Sequence, residues 1–363
     1  MKPIKVFAIN FGSTSTKIAY YEDDVCKLTE SISHPAEELK KCASIQDQYA
    51  LRKDAILQFM ALHDIDLNDL DSVTTRGGQT EPLVGGTYRV NEEMIAQAAS
   101  GKYGTHVTNL GGRIAYDLCK ESDHAIPLTT DTPSTDEFEP LARYSGLKEI
   151  PRVSSFQALN QKAMSRYYAE SIGKKYEELN LVTVMLGGGI SVVAHKKGRM
   201  IDGPNALEGD GPFSNNRCCS VPVGALVRLC YSGKYDLEGM LHHINGEGGL
   251  VSYLGTTDIR AIEKRAGSGD DYAKEVLEAM CYQTAKDIGA YATVLKGDVD
   301  AIIFTGGMAN SEFITSRIKE RVSFIAPVVI LPGEREMESL CLNSYKALRG
   351  EIPILTFEPK EVL

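Results

Sequence analysis

Two turns rich in glycine and hydroxyl residues are the parts of this chain best suited to bind phosphate. The first follows an apolar run at residues 6–9 and consists of Gly12, Ser13, Thr14 and Ser15. The second follows a largely apolar run at residues 182–186 and consists of Gly187, Gly188 and Gly189. Glycine lets backbone N–H groups converge on an anion, and Ser and Thr hydroxyls add donors. We therefore predict that each turn binds a phosphate group.

A third glycine turn lies nearer the C-terminus. Gly306 and Gly307 follow an apolar run at residues 301–304, and Asn310 comes shortly after them. A strand that ends in such a turn before a helix can place backbone N–H groups beside a nucleotide. The common nucleotide-binding fingerprints do not apply, because the chain has no GxxxxGK[ST] pattern and no GxGxxG pattern opening a helix after the first strand.

The first two turns belong to an internal repeat. When Gly12 is aligned with Gly187, an apolar strand, the turn, a second apolar strand and a charged turn coincide without a gap. Repetition within a chain determines its architecture. The repeat predicts two related domains that face each other across a nucleotide.

Helices and strands must alternate along the chain to position these turns. Residues 36–63 are predicted to form a helix, Asn91 to cap a helix over residues 92–100, and residues 270–295 to form a long helix. Between these lie short apolar runs typical of buried strands. Strands that alternate with helices indicate α/β layers.

The length of 363 residues is too great for one typical core and favours two domains. No linker rich in Pro, Gly or Ser marks a border. We place the first domain at residues 1–150 and the second at residues 151–334. A helix near residues 335–363 is a candidate to pack back on the first domain.

Composition restricts the partners and the compartment. The net charge of −10 argues against a nucleic acid or an anionic membrane, so an anionic ligand needs a locally basic pocket. The eight cysteines lack CxxC spacing, which favours free thiols in a reducing compartment. The chain shows no apolar signal segment and no run of about 18 apolar residues for a membrane span. A soluble cytoplasmic protein is expected.

Nine short motifs, in order and with few gaps, resemble the butyrate kinases within the wider acetate kinase family. The motifs are residues 9–17, 76–78, 85–88, 158–162, 187–191, 205–213, 248–256, 296–297 and 321–327. The resemblance implies two duplicated ribonuclease H-like (actin-like ATPase) domains, with mixed sheets flanked by helices and a nucleotide cleft between them. It also implies reversible transfer of the γ-phosphoryl group of ATP to a short-chain carboxylate, with Mg²⁺, and a homodimer formed through the second domain.

The resemblance assigns the residues of the phosphoryl transfer by motif position. They are Asn10, Arg76, Asp131, Gln157 and Arg217, and Asp131 is also the metal ligand that the resemblance implies. The attacking carboxylate is already an anion, so the chemistry needs arginines and a divalent metal rather than a strong base. A surface ion pair is the alternative interpretation of each arginine. His106 matches a histidine of the family, with a structural role as its alternative.

Several departures from the family pattern lie near the expected reaction centre. Gln157 stands where a histidine that donates to the phosphoryl group is usual, and Met185 replaces a second histidine. The pair Cys218 and Cys219 replaces a Ser-Gly pair. Either the pocket is adapted to another carboxylate, or catalysis is weak and nucleotide binding is retained.

We therefore expect a butyrate kinase-like enzyme that phosphorylates butyrate or a related acid. Two alternatives stay open at this point. The first is a nucleotide-binding paralogue with weakened catalysis, which the missing histidines favour. The second is a kinase for a different small acceptor, such as a hydroxyl group, whose chemistry calls for a carboxylate base beside the acceptor.

Overall fold

A computed structural model describes residues 2–206 and 208–359 of the protein and divides the chain into two compact units. Unit 1 comprises Met1–Asp136 and Arg335–Leu363, and unit 2 comprises Glu137–Glu334. Leu207, in the motif at residues 205–213, lies outside the described residues. So do the last four residues of the segment 335–363.

The helices and strands alternate along the chain as an α/β pattern requires. Before residue 137 they are β1 (Lys5–Phe11), β2 (Ser15–Glu22), β3 (Val25–Ser33), α1 (Ala36–Leu39), α2 (Tyr49–Leu62), β4 (Ser72–Thr75), β5 (Thr87–Arg89), α3 (Glu92–Ser100), α4 (Asn109–Lys120) and β6 (Ile126–Thr130). Unit 2 contains α5 (Ala158–Ser171), β7 (Asn180–Leu186), β8 (Ile190–Lys196), β9 (Arg199–Asp202), α6 (Val223–Cys230), α7 (Leu237–Ile244), α8 (Gly249–Leu254), α9 (Ile259–Gly267), α10 (Asp271–Val294), β10 (Ala301–Thr305), α11 (Glu312–Val322) and β11 (Val328–Ile330). The chain then returns to unit 1 with α12 (Glu336–Leu348) and β12 (Ile354–Thr356).

Each unit is built around one mixed sheet, and the two sheets share a common plan. The strand order is β12-β5-β6-β4-β1-β2-β3 in unit 1 and β11-β10-β7-β8-β9 in unit 2. In both, the first strand of the hairpin pairs antiparallel with the second and parallel with a later strand, β4 or β10. A further strand, β6 next to β4 or β11 next to β10, extends the parallel part. The two units therefore have the duplicated α/β architecture that the repeat predicts.

The two hairpins differ in register by one residue. In unit 1, residues 12–15 separate the last cross-strand pair, which is Phe11 with Thr16. In unit 2, only residues 187–189 separate Leu186 from Ile190. The ungapped sequence alignment therefore does not hold across the turn, because the second turn is one residue shorter. An alignment of residue types cannot show which residues pair across the strands.

Apolar strands form the centre of each core. In unit 1, Phe7 and Ile9 of β1 pack with Ile114 of α4 in one buried cluster. In unit 2, Val182 of β7 and Ile302 of β10 belong to a larger cluster that α10 covers. Strands that are buried on both faces need near-continuous apolar sequence, which is why these runs are visible in the sequence.

The helix predicted over residues 36–63 is interrupted. The chain forms α1 and then α2, with an irregular stretch between them in which Ser44 donates through its N–H and its hydroxyl to Asp47 Oδ2, at 2.8 and 2.9 Å. Such local side-chain bonds compete with helical hydrogen bonds. The cap predicted for α3 is confirmed, since Asn91 Oδ1 accepts from the N–H of Met94 at 3.0 Å.

The division between the units falls between Asp136 and Glu137, earlier than the border predicted near residue 150. Glu137 is tied into unit 2 because its carboxylate accepts from Lys162 Nζ at 2.8 Å and from the N–H of Met200 at 2.7 Å. The C-terminal segment joins unit 1 through β12, which pairs with β5. No helix in residues 2–206 or 208–359 is long and apolar enough to cross a membrane.

Candidate functional site

Three of the predicted site residues lie at the carboxyl ends of parallel strands in unit 1. Ile9 of β1 pairs with Thr75 of β4, and Thr75 pairs with Thr129 of β6. Asn10 follows Ile9, Arg76 follows Thr75, and Asp131 follows the end of β6. The register therefore brings these side chains to one edge of the sheet, the edge at which α/β folds bind ligands.

Glu336 is a residue of this edge that the sequence interpretation missed. It is buried at the first position of α12, and its Oε2 accepts from Asn10 Nδ2 at 2.7 Å and lies 3.5 Å from Arg76 Nη1. A glutamate in the first turn of a helix is common, because the helix dipole favours it. Its position in the sequence therefore carries no sign of a site.

Arg76 has donor capacity that the protein does not use. Its Nε atom is buried and has no hydrogen-bond partner. A buried donor of a charged group that lacks a partner is costly, so Arg76 Nε is suited to donate a hydrogen bond to an anionic oxygen of a ligand. The arginine thus combines a contact to Glu336 with a buried Nε donor that is available to a ligand.

His106 lies close enough to Arg76 to respond to its charge. Burial, followed by the charges of Arg76 and Arg52, lowers the pKa of His106. Its Nδ1 accepts from the N–H of Thr108 at 3.3 Å, so the neutral ring carries its proton on Nε2. His106 is therefore a neutral ring with one donor nitrogen in this part of unit 1.

Asp131 is fully buried in a strained backbone conformation. Its φ of 44° lies in the left-handed region, which is uncommon for residues other than glycine. Its Oδ1 accepts from the N–H of Gly86 at 2.9 Å, which fixes the carboxylate. Strain of this kind clusters at functional sites. Within the described ranges, no group of three or more His, Cys, Asp or Glu side chains is arranged to hold a metal ion.

The first glycine turn uses one of its own donors internally. The N–H of Gly12 donates to Ser15 O at 2.9 Å and closes the turn. The side chains of Ser13 and Thr14 are exposed. The donors of this turn that can face a ligand are therefore hydroxyls and the N–H groups beyond Gly12, and not that of Gly12 itself.

In unit 2, the second and third glycine turns line the same cavity, of about 510 Å³. Gly187 and Gly188 contribute from the turn after β7, and Gly307 and Asn310 contribute from the turn after β10. Four of the six predicted binding residues of this unit therefore line one cavity, whereas Gly189 and Gly306 do not. Their neighbours in the cavity wall, which the sequence interpretation missed, are Asn215, Thr257, Asp258, Ile259, Arg260, Glu263, Met308 and Ser311.

Glycine is required at Gly306 because two strands approach closely there. Its φ is 89°, and a side chain at this position would overlap the carbonyl of Leu186 and the sulfur of Met185. Gly306 itself is not among the residues that line the cavity. It therefore acts by letting the two glycine turns lie side by side, and not by a direct contact with this space.

Polar groups in the cavity wall are arranged to meet a ligand. Asn215 donates through Nδ2 to Thr257 O at 3.2 Å, while its Oδ1 is buried without a hydrogen-bond partner. Asp258 caps α9 by accepting from the N–H groups of Arg260 and Ala261, at 3.0 and 3.2 Å. An open acceptor on a fixed amide is suited to a donor such as an amino group.

Arg217 lies against the second glycine turn. Its guanidinium occupies the position that a side chain on Gly189 would need. Its Nε donates to Asn245 Oδ1 at 2.9 Å, and burial lowers its pKa, with little effect on its charge at neutral pH. The predicted arginine of unit 2 is therefore next to the predicted phosphate turn.

The two positions at which the family usually has histidine, Gln157 and Met185, are also in unit 2. Gln157 accepts from the hydroxyl of Ser191 at 3.3 Å through Oε1, which leaves its NH₂ group as the donor for a ligand. Met185 accepts from Asn160 Nδ2 at 3.0 Å and packs beneath Gly187 and Gly306. Met185 thus fills space between the turns and has no proton to donate.

The predicted residues fall into two groups. Asn10, Arg76 and Asp131 belong to unit 1, whereas Gln157, Arg217 and the second and third glycine turns belong to unit 2. Each group is assembled within its own unit. The meeting of the two groups in a cleft between the domains stays a prediction.

Two duplicated α/β units, each carrying glycine turns at strand ends, have the architecture of the actin-like ATPase fold. Residues 151–329 match the acetokinase family. The chain is 46% identical over 357 residues to a probable butyrate kinase of Phocaeicola vulgatus, covering 98% of this chain and 100% of that protein. It is 47% identical over 348 residues to butyrate kinase 1 of Clostridium acetobutylicum, covering 96% and 98%. The protein belongs to the acetokinase family.

Solved structures agree on the fold. The acetate kinase of Porphyromonas gingivalis superposes with a TM-score of 0.78 at 18% identity, over 95% of this chain and 100% of that one. A propionate kinase of Francisella tularensis superposes with a TM-score of 0.73 at 15% identity, over 94% and 98%. These similarities confirm the predicted fold class of two ribonuclease H-like domains.

Proposed function

We propose that the protein transfers the γ-phosphoryl group of ATP, reversibly, to butyrate or a closely related short-chain acid. The products are ADP and an acyl phosphate. Similarity over almost the whole chain to a probable butyrate kinase and to butyrate kinase 1 carries this proposal. The unused donor of Arg76 and the position of Arg217 beside a glycine turn support it.

The chemistry follows from the charges of the reactants. A carboxylate oxygen attacks the γ-phosphorus, and the bond from that phosphorus to the bridging oxygen of ADP breaks as the new bond forms. No proton has to be removed from the nucleophile. The obstacle is repulsion between two anions, so positive groups with fixed positions supply most of the stabilisation.

In unit 1, Arg76 is the group best placed to bind an anionic oxygen. Glu336 fixes one side of its guanidinium, and Asn10 fixes Glu336. The buried Nε then donates to an oxygen of the acid or of the phosphoryl group. The charge of Arg76 contributes to the lowered pKa of His106, and the neutral ring is proposed as a further N–H donor that adds no charge.

In unit 2, the cavity between the second and third glycine turns is proposed to bind the nucleoside end of ATP. Its volume of about 510 Å³ lies within the range of typical small-ligand sites, about 300–1,000 Å³. The open acceptor Asn215 Oδ1 suits an amino group on the base. Arg217 beside Gly189 and the NH₂ group of Gln157 are the donors for phosphoryl oxygens.

Mg²⁺ is proposed as the metal, with Asp131 as a ligand and Glu336 as a second candidate. Both are buried carboxylates at one strand edge, and oxygen ligands suit this hard cation. When bound, the ion neutralises charge on the phosphates of ATP.

The first experiment is an assay with Mg-ATP and linear acids of about two to six carbons, in which hydroxylamine traps the acyl phosphate. Maximal turnover is expected with butyrate or a neighbouring acid, and Arg76→Ala is expected to lower kcat at least about 100-fold. Absence of turnover with every acid, from protein that binds ATP, would contradict the proposal.

A second variant tests the departure at residue 157. Gln157→His is expected to raise kcat by about three- to tenfold, because a protonated imidazole donates more strongly than a neutral amide. Gln157→Leu, of similar size but with no donor, is the matched control and should lower kcat. Equal rates in all three proteins would remove Gln157 from the reaction.

The protein is also proposed to be a homodimer formed through unit 2. Apolar side chains of α6, of the residue that follows it and of α7 are exposed there, and they include Val223, Val227, Tyr231, Leu237 and Leu241. Exposed apolar patches of this kind are typical of interfaces. Val227→Glu is expected to give a monomer by analytical ultracentrifugation, with Val25→Glu on β3 of unit 1 as the control. A wild-type monomer would refute the dimer.

A cytoplasmic location is proposed as well. All eight cysteines are free thiols, as expected in a reducing compartment.

A further inference from the structure

A fully buried arginine lies behind the first glycine turn. Arg52 of α2 is the largest fully buried side chain among the described residues. Its Nη2 donates to Ser13 O at 2.9 Å, and its Nη1 donates to Ser15 O and to Thr16 Oγ1, both at 3.2 Å. Its Nε donates to Gln48 Oε1 at 3.0 Å. Three of the four contacts are thus made to the turn itself or to the residue that follows it.

Arg52 keeps its charge without an acidic partner. In the part of the chain that the structure describes, no Asp or Glu lies within ion-pair distance of its guanidinium. Burial lowers the pKa of Arg52 to about 10, so the group is still protonated at neutral pH. Buried charges are costly and are nearly always paired, so an arginine whose partners are neutral oxygens and the ring of Phe11, at 5.9 Å, requires an explanation.

The neighbouring histidine, His34, adds no charge beside Arg52. His34 is buried and shares a hydrogen bond of 2.8 Å with Thr16 Oγ1 through its Nε2. Burial, and then the charge of Arg52, lowers the pKa of His34, so the ring is neutral at neutral pH. Glu38 has a weaker, opposite effect on this pKa, and Arg52 is the charged side chain whose contacts reach the turn.

The contacts of Arg52 and the backbone N–H of His34 together determine which way the peptide groups of the turn point. Ser13 O faces Arg52, and Thr14 O accepts from the N–H of His34 at 2.8 Å. In a planar trans peptide the C=O and the next N–H point in opposite directions. The N–H groups of Thr14 and Ser15 therefore point away from α2 and β3.

The charge of Arg52 also reaches the strand edge that carries the candidate site of unit 1. Arg52 and Arg76 both contribute to the lowered pKa of His106, after burial. Arg52 is thus electrostatically connected to the place where Arg76 has an unused donor. The field of a buried charge is screened much less by salt than that of a surface charge.

We propose that Arg52 is a positioning residue for the phosphates of the nucleotide. It holds the carbonyl groups of Ser13 and Ser15 inward, so that the N–H of Thr14 faces the phosphates, and it places a permanent positive charge behind the turn. Arg52 does not touch the substrate. This inference rests on the proposed function, because it takes ATP as the anion that the turn binds.

The experiment measures the binding of ATP, ADP and AMP by calorimetry for wild type, Arg52→Met and Arg52→Lys. Methionine is long and apolar but neutral, whereas lysine keeps the charge and loses the planar fork. Arg52→Met is expected to weaken ATP and ADP binding about 10- to 100-fold relative to AMP. Arg52→Lys is expected to recover part of this loss. A purely structural role would lower stability without changing the ratio of ATP to AMP affinity.

Arg113→Met is the matched control. Arg113 of α4 belongs to the same unit, stacks on Tyr49 of α2 and pairs with Asp117 at 3.6 Å, but it is partly exposed and makes no contact with the turn. Its affinity ratio should equal that of wild type, and a change like that of Arg52→Met would overturn the proposal.

Each outcome decides the proposal. A folded Arg52→Met protein with the wild-type ratio of ATP to AMP affinity would overturn it. If Arg52→Met does not fold, Arg52→Lys is the deciding variant. A ratio of ATP to AMP affinity equal to that of wild type would then show that the planar guanidinium does not orient the turn. These binding measurements do not require the carboxylic acid substrate. If the wild-type protein binds ATP but shows no turnover, the proposed function is rejected, and the role of Arg52 in ATP binding is still tested.

Discussion

At the scale of single residues, the position of Arg217 depends on the absence of a side chain at Gly189. The guanidinium fills the volume in which a Cβ of residue 189 would lie. Gly189→Ala is therefore expected to displace Arg217 and to lower kcat about 100- to 1,000-fold, the usual effect of losing one transition-state donor. Steady-state assays with Mg-ATP and the preferred acid provide the measurement.

A double-mutant cycle separates this cause from a general disturbance of the turn. If Gly189→Ala acts through Arg217, then adding it to Arg217→Ala should cost almost nothing further. Gly289→Ala, in α10, is the control, because a methyl group there meets no other atom within 4 Å. Additive losses in the double variant would show that the alanine acts on something other than the arginine.

At the scale of elements, α12 is the helix that completes the strand edge of unit 1. It begins with Glu336, which lies between Asn10 and Arg76. Glu336→Gln keeps the shape of the side chain and removes its charge, so Arg76 loses the partner that orients it. We expect kcat to fall at least about tenfold, because an unpaired buried charge disturbs its surroundings.

Glu338 provides the matched control on the same helix. It pairs with Arg335 at 2.5 Å, and both side chains are about one-third exposed. A pair this exposed contributes little, so Glu338→Gln should leave kcat and the unfolding midpoint almost unchanged. If Glu336→Gln has full activity, the helix has only a structural role at this edge.

Elements were predictable from the sequence where local chemistry decided them. Asn91 identified the start of α3 because a capping side chain acts on its own helix. The single helix predicted over residues 36–63 was wrong, because the hydrogen bonds between Ser44 and Asp47 compete with helical hydrogen bonds. Glu336 was not predictable as a site residue, since its partners are more than 250 residues away along the chain.

At the scale of the whole molecule, the duplication was visible because each copy repeats an apolar strand, a glycine turn and a second strand. The strand order of the two sheets follows the same plan. The one-residue difference between the hairpins was not visible, because register depends on cross-strand pairing. The border at Glu137 depends on bonds to Lys162 and Met200 that are made only in the folded unit.

The stability of the whole protein should depend on pH through a histidine buried in unit 2. His195 is fully buried, and its ring nitrogens bond to Tyr176 Oη at 2.6 Å and to Gln161 Oε1 at 3.1 Å. Burial, and then the charges of Lys162 and Arg166, lowers the pKa of His195 from 6.5 to about 3. The unfolded chain therefore binds a proton between these values and the folded chain does not.

The free energy of unfolding therefore does not depend on His195 protonation above pH 6.5. Below pH 6.5 it decreases by about 1.4 kcal/mol for each pH unit, down to about pH 3. Asp287 acts in the opposite direction, because burial raises its pKa to about 6. Asp287 is present in both wild type and His195→Gln, so its effect cancels in the difference between their free energies of unfolding. Between about pH 7.5 and about pH 4.5, urea unfolding should show wild type losing about 3 kcal/mol more than the variant. Parallel losses in the two proteins would mean that the imidazole is already protonated in the folded state.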